Sequence, residues 1–243
     1  MSIRSSLRRL VRRFGYDVAP FRPVDCPNLR RQILLDAYRI DTVIDVGANV
    51  GQYGRRLRDA GYRGQILSFE PIPDAFHALE SQAVADPRWT CEQVAVGAVD
   101  GEAMLHVSGN SVSSSLLPTH ERLAVVEPRA AYVSSARVSL RRLDSLVAGR
   151  LTPDDRLWVK LDVQGYERPV LDGARHLLAR TQVVEAELSL VLLYKGQSLY
   201  REMIDHLETL GFDLIAMERG FTDPRTGHVL QIDGVFARAD GMD

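Results

Sequence analysis

A chain of 243 residues, 45% of them hydrophobic, is long enough to bury the core of one domain of ordinary size. Its formal net charge of −2 sets up no whole-molecule field that would draw it to nucleic acid. Cys26 and Cys91 are too few and too far apart for a disulfide framework or a zinc site, no apolar run reaches the roughly 18–20 residues of a membrane span, and a reducing cytoplasm is expected.

The charge is unevenly spread. Residues 1–31 hold eight arginines against Asp17 and Asp25. Ile3, Leu7, Leu10, Val11 and Phe14 recur at helical spacing among Arg4, Arg8, Arg9, Arg12 and Arg13, so residues 3–14 are expected to form a basic amphipathic helix. Such a helix either makes peripheral contact with an anionic inner-membrane surface or packs its apolar stripe on the domain with its arginines in water. It opens a basic N-terminal helical extension, residues 1–39, ahead of a main domain at 40–243.

From there strand and helix patterns alternate. Residues 42–47 read as the first strand, 51–60 as its helix, 65–70 as a second strand and 73–84 as a helix opened by Pro73 and Asp74. Residues 89–96 read as a third strand. Two more, 102–107 and 136–140, flank a long serine-rich insertion. A central strand at 157–162 is followed by a helix over 167–179, a strand at 183–190 and a helix at 197–210. Strands 212–217 and 231–238, joined by a polar loop at 223–227, end the chain as an antiparallel pair. The pattern implies an α/β fold: a doubly wound, Rossmann-like sheet with ligands beyond the carboxyl ends of its strands.

The most informative stretch lies at the end of the first strand. Gly47-x-x-x-Gly51-x-x-Gly54 is neither the Gly-x-Gly-x-x-Gly of dinucleotide sites nor a P-loop, which needs a following Lys-Ser or Lys-Thr. A roomier turn with Asp45 just before it suits a ligand with an amino-acid end, such as S-adenosyl-L-methionine. Glu70 ends the second strand 19 residues beyond Gly51, where a carboxylate can accept both hydroxyls of a ribose. The strand-end rule gathers Asp45 to Gly51, Glu70, Ala95 and Asp162 around one crevice. No His, Asp and Glu cluster has metal-ligand spacing, and His120, in the insertion, is expected to be a solvated loop residue.

Val-Ile-Asp-Val-Gly-Ala-Asn-Val-Gly at 43–51, Phe-Glu-Pro at 69–71, Ser-Ser-Leu at 114–116 and Lys-Leu-Asp-Val-Gln-Gly-Tyr-Glu at 160–167 resemble the FkbM-type S-adenosylmethionine-dependent methyltransferases. So do Leu-Tyr-Lys-Gly-Gln at 193–197 and Asp-Gly-Val-Phe at 233–236. The resemblance implies the class I methyltransferase fold, with seven strands and an antiparallel last one. It also implies methyl transfer to a hydroxyl of a sugar, glycolipid or polyketide-type natural product. Carried over by position, Asp45, Gly47, Asn49 and Gly51 would surround the methionyl end of the cofactor, Glu70 would bind the ribose, and Ala95 with its neighbours would border the adenine, with Pro71 also among the cofactor-binding residues. Asp162 would face cofactor and substrate. One departure is Gln164, where such families commonly have Glu.

For the chemistry, Asp162 is the first candidate for base or acceptor-orienting group, and Glu187 the second, because an acid in an apolar strand is costly to bury without a partner or a task. The competing expectation for Glu187 is a buried ion pair with an arginine. The expected acceptor is a small-molecule or lipid-linked glycoside. A nucleic-acid methyltransferase is the enzymatic alternative, weakened by the absence of an Asn/Asp-Pro-Pro-aromatic turn at 162–165 and of an aromatic stacking platform. A cofactor-binding module without turnover is the other.

Overall fold

The structure, a computed structural model, describes residues 9–16, 21–239 and 241. Ten strands run through them: β1 (Thr42–Val46), β2 (Gln65–Phe69), β3 (Trp89–Glu92), β4 (Ala95–Val96), β5 (Gly101–Ser108), β6 (Tyr132–Arg141), β7 (Leu157–Leu161), β8 (Thr181–Ser189), β9 (Asp213–Arg219) and β10 (Gln231–Ala237). The helices among them are α1 (Pro27–Ala37), α2 (Gln52–Asp59), α3 (Pro73–Ala83), α4 (Glu121–Val126), α5 (Leu143–Leu146), α6 (Glu167–Asp172), α7 (Arg175–Leu178) and α8 (Tyr200–Thr209).

Seven strands form one sheet in the order β3-β2-β1-β7-β8-β10-β9. All neighbours from β3 to β8 are parallel, and β10 is antiparallel to both β8 and β9, as expected. The order reverses at β1, so the loops after β1 and β7 part there and open a crevice. The central strands are nearly continuous apolar runs because both faces are covered. Ile44, Val46, Val159, Leu161 and Val184 pack on one side against Leu143, Val170, Leu177, Met203 and Leu207. Val43, Trp158, Val183 and Val235 pack on the other against Leu35, Tyr53, Leu57 and Leu79. Each such side chain contributes about 1.5–3 kcal/mol when fully buried.

The second layer includes α1. Leu35 and Tyr38 sit in its core and Arg31 reaches Glu185 in β8, so residues 27–37 of the N-terminal extension pack as part of the sheet's covering. Of the amphipathic stretch, residues 3–8 lie outside the described residues. Residues 9–12 are helical, and Leu10 and Phe14 are 53% and 74% exposed, so this part of the apolar stripe is not packed on the domain. No helix among the described residues is long and apolar enough to cross a membrane.

Two elements differ from expectation. Residues 89–96 are not one strand. Glu92 pairs with Phe69, the last residue of β2, and the chain then leaves the main sheet. Ala95 and Val96 pair instead with Leu140 and Arg141 in a second, three-stranded sheet, β4-β6-β5. An apolar run signals a strand without saying which sheet takes it. Nor is 167–179 one helix. It breaks at Gly173, where a Cβ would lie 2.0 Å from the carbonyl oxygen of Gly97.

Candidate active site

The turn after β1 is built around backbone that side chains would obstruct. Gly47 has φ +79, and a Cβ there would lie 1.9 Å from the carbonyl oxygen of Asp162, so glycine lets the tips of β1 and β7 close on each other. Its N–H donates to Phe69 O at 3.0 Å. Asn49, at φ +48, then turns its N–H to Oε2 of Glu70 at 2.8 Å, while Ile72 N–H donates to Oε1 at the same distance. Burial pushes the Glu70 carboxyl up to about 7, outweighing those two bonds. A carboxylate offers about four acceptor positions. Two are used here, which leaves capacity toward the crevice.

That crevice encloses about 700 Å³ of space open to solvent and is lined by Gly47, Asn49, Glu70, Pro71, Ala95 and Asp162 among others. Its apolar wall comes from Phe69, Ile72, Val94, Val96, Leu105 and Tyr166. Two of the expected residues stand behind it. Gly51, at φ +84, begins α2 against Leu79 and Trp89. Asp45 is fully buried on the face of β1 that carries Val43, with Oδ1 at 3.1 Å from Lys160 Nζ.

Lys160, to which no sequence motif gives a role, is a centre of the site. Its ammonium lies 3.1 Å from Asp45, 3.3 Å from Oδ2 of Asp162, and 5.2 Å above the ring of Tyr53. Burial works against its charge, but Asp45 and Asp162 outweigh it and raise the ammonium's pKa. Strand register explains the grouping: Asp45, Lys160 and Glu185 lie side by side on β1, β7 and β8. Glu185 accepts from Arg31 Nη2 at 2.5 Å, Tyr53 Oη at 2.6 Å and Trp158 Nε1 at 3.1 Å. Burial favours protonation of Glu185, but Arg31, the Tyr53 hydroxyl and Lys160 prevail and hold it below the usual carboxylate range. The buried arginine pair therefore falls on Glu185.

Glu187 has amide partners instead. Its Oε2 accepts from Gln231 Nε2 at 2.5 Å and from Gln164 Nε2 at 3.1 Å. The same Nε2 donates to Asp162 Oδ1 at 2.8 Å, so Gln164 joins the two candidate acids. Burial, together with Asp162, Glu167 and Asp233 nearby, raises the Glu187 carboxyl well above its ordinary value. Gln164 also divides the space: with Val112 it lines both the first crevice and a second cavity bordered by Glu187 and Gln231.

The serine-rich insertion closes one side of both. Ser111 and Ser115 line the first crevice, and Ser115 Oγ donates to Gln164 O at 2.8 Å. His120 begins α4, its Nδ1 accepting from Arg122 N–H at 3.2 Å. Among the described residues no group of three His, Cys, Asp or Glu side chains suits a metal ion.

Compared with known proteins, the chain matches the methyltransferase FkbM domain over residues 45–214. It is 28% identical over 220 residues to the 2-O-methyltransferase NoeI of Sinorhizobium fredii (strain NBRC 101917 / NGR234), covering 87% of this chain and 88% of that protein. Among solved structures it is similar to the METTL16 methyltransferase domain, with 11% identity and a TM-score of 0.49 over 98% of this chain and 79% of that one. It is also similar to magnesium protoporphyrin IX methyltransferase of Synechocystis PCC 6803 with bound SAM, with 11% identity and a TM-score of 0.45 over 98% of each chain. The family match spans well over half of the sequence and contains the turn, Glu70, Asp162 and Glu187; the chain belongs to the FkbM family of S-adenosylmethionine-dependent methyltransferases.

Proposed function

We propose that this methyltransferase methylates a hydroxyl of a sugar, a glycolipid or a polyketide-type natural product. The observation that carries the reading is the position of Asp162. This partly exposed carboxylate lines the first crevice and is joined through Gln164 to an acid in the wall of the second cavity.

The donor set of the first crevice suits S-adenosylmethionine. Glu70 keeps acceptor capacity for a ribose diol, and Ala95 with the apolar residues of the same wall suits an adenine, with Pro71 beside them in the lining. Gly47 and Asn49, with Asp45 and Gly51 behind them, shape the turn that receives the amino-acid end. When bound, the cofactor supplies an electrophilic methyl group on a sulfonium. The residues must then orient the acceptor and accept a proton, because a hydroxyl is a weak nucleophile. Methyl transfer to the acceptor oxygen would release the hydroxyl proton, which Asp162, in the lining of the crevice, would accept. Lys160 and Gln164 each hold one oxygen of that carboxylate in place. General-base assistance of this kind contributes about 10²–10⁴-fold. The name of the relative NoeI, a 2-O-methyltransferase, supports oxygen as the acceptor atom.

Exposed Leu10 and Phe14, next to Arg9, Arg12 and Arg13, support peripheral contact with an anionic membrane, which suits a lipid-linked acceptor. Retention on anionic but not zwitterionic vesicles, lost in Phe14→Ala with Leu10→Ala, is the expected result.

The test of the main reading is transfer of isotope-labelled methyl to a panel of hydroxylated acceptors by wild type and Asp162→Asn. Turnover in the wild type, reduced about 10²–10⁴-fold in the variant with S-adenosylhomocysteine affinity kept, supports it. Equal turnover removes Asp162 as the base, and transfer only to amines removes the oxygen acceptor.

A further inference from the structure

Lys160 stands between two acids. Asp45 on β1 and Glu185 on β8 are both its register partners, and neighbouring strands lie only about 4.8 Å apart, within reach of a lysine side chain. Among the described residues, its ion pairs are nevertheless with Asp45 at 3.1 Å and Asp162 at 3.3 Å, and not with Glu185.

Glu185 is already matched. Arg31 sets Nε 3.0 Å from Oε2 and Nη2 2.5 Å from Oε1, the forked arrangement that fits a carboxylate. Tyr53 Oη and Trp158 Nε1 also donate to Oε2, at 2.6 Å and 3.1 Å. A carboxylate offers about four acceptor positions, so these donors fill it. Without Arg31, Asp45, Asp162 and Glu185 would compete for Lys160. The side chains of Asp45 and Glu185 are 0% and 6% exposed, that of Asp162 37%. A buried charge without a partner costs more than one that water can serve, so Asp162 is the acid that would lose the lysine.

We infer that Arg31 is a positioning residue for methyl transfer: by satisfying Glu185 it leaves Lys160 to Asp45 and Asp162, and so fixes the carboxylate that receives the acceptor's proton. This rests on reading Asp162 as the base. Arg31 precedes residues 45–214 of the family match, so α1 becomes a working part of the site as well as a covering of the sheet.

The chain has two lysines, Lys160 and Lys195, which makes the pairing directly observable. In protein carrying 13C,15N-lysine, Lys195→Arg assigns the second signal, and NMR of the Lys160 ammonium and its adjoining carbon reports its partners. In the full-length wild type, that signal is expected to move on Asp162→Asn and to change little on Glu185→Gln. In Arg31→Met the two responses should exchange. Arg31→Gln, whose amide can still donate to Glu185, replaces that variant if it does not fold. In the labelled-methyl assay on hydroxylated acceptors, the folded Arg31 variant should lose about tenfold in kcat, with KM and S-adenosylhomocysteine affinity within about twofold. Adding Glu185→Gln removes the competing acid and should restore kcat. An Arg31 that only supports the fold would lower the melting temperature without exchanging the responses. The inference is overturned if the wild-type signal follows Glu185 as strongly as Asp162, if the folded Arg31 variant keeps the wild-type responses, or if its kcat is unchanged. Equal turnover by Asp162→Asn and wild type is a different failure. It removes Asp162 as the base, and with it the role in transfer, while the NMR responses still decide whether Arg31 directs Lys160.

Discussion

The hydroxyl of Tyr194 donates to Oε1 of Gln164 at 2.7 Å, and this bond fixes which way the amide faces. Tyr194 is fully buried, and Gln164 itself is held at φ +55, a left-handed conformation uncommon for a residue with a side chain. With Oε1 committed to the tyrosine, Nε2 is turned to Asp162 and Glu187. A reversed amide would set an oxygen against two acids. Tyr194→Phe is therefore expected to lower kcat about tenfold while leaving S-adenosylhomocysteine affinity within about twofold. Gln164→Glu puts a third acid between the other two and removes the amide they share, so kcat should fall further than in Tyr194→Phe; a kcat equal to that of the wild type would show that the amide does not hold Asp162 in place.

Gly47→Ala tests the closure of β1 on β7. The added methyl would stand 1.9 Å from backbone oxygen at a φ of +79, so both sterics and conformation oppose it. A loss of at least about 2 kcal/mol in denaturant unfolding is expected. Gly61→Ala is the comparison, since its Cβ would meet nothing within 4 Å and only the positive φ is strained.

Arg31 ties α1 to the sheet. The side chains of Arg31 and Glu185 are 10% and 6% exposed, and removing one partner leaves a buried charge behind. Arg31→Ala should cost about 3–5 kcal/mol, whereas Arg31→Met with Glu185→Leu should recover much of that. Tyr53 and Trp158, which also donate to Glu185, limit the recovery. If Arg31→Ala unfolds at the wild-type denaturant midpoint, α1 is not part of the cooperative fold.

Stability should fall as pH rises toward neutrality. Burial raises the carboxyls of Glu70, Glu167 and Asp233 to about 7 each. Between the ordinary carboxylate range and that value the native state holds protons that the unfolded chain has lost. Their contribution is complete at the acid end of the window and is lost as pH climbs through about 7. Each proton so held changes stability by about 1.4 kcal/mol per pH unit. Asp86 and Asp223, held below their ordinary values chiefly by their arginine partners, oppose this only in stronger acid. The melting temperature should peak near about pH 5 and decline by pH 8, with a shallower decline in Asp233→Asn.

The turn after β1 and the acid at the end of β2 were legible because their signals are local. A glycine turn after an apolar strand, and an acid ending the next strand, identify themselves within a few residues of sequence. Asp162 and Glu187 stood out as acids at or within apolar strands. The rest depends on which strands become neighbours. An acid in an apolar strand calls for a partner or a task, but only the register of β7 on β8, with α1 above, assigns Arg31 to Glu185 rather than Glu187. The link that Gln164 makes between the two acids needs its left-handed backbone, which no residue pattern announces. The same holds for residues 89–96, where the change of sheet is set by the end of β2.

The most direct test of the whole account is calorimetric titration of the wild type and Glu70→Ala with S-adenosylhomocysteine. Glu70 is placed by two backbone N–H groups and lines the crevice, so its removal should strip the ribose of its partner without disturbing Asp162. Micromolar binding that weakens at least tenfold in the variant, about 1.4 kcal/mol, is the predicted result. Equal affinity in the two proteins, or no binding to folded wild type, would contradict it.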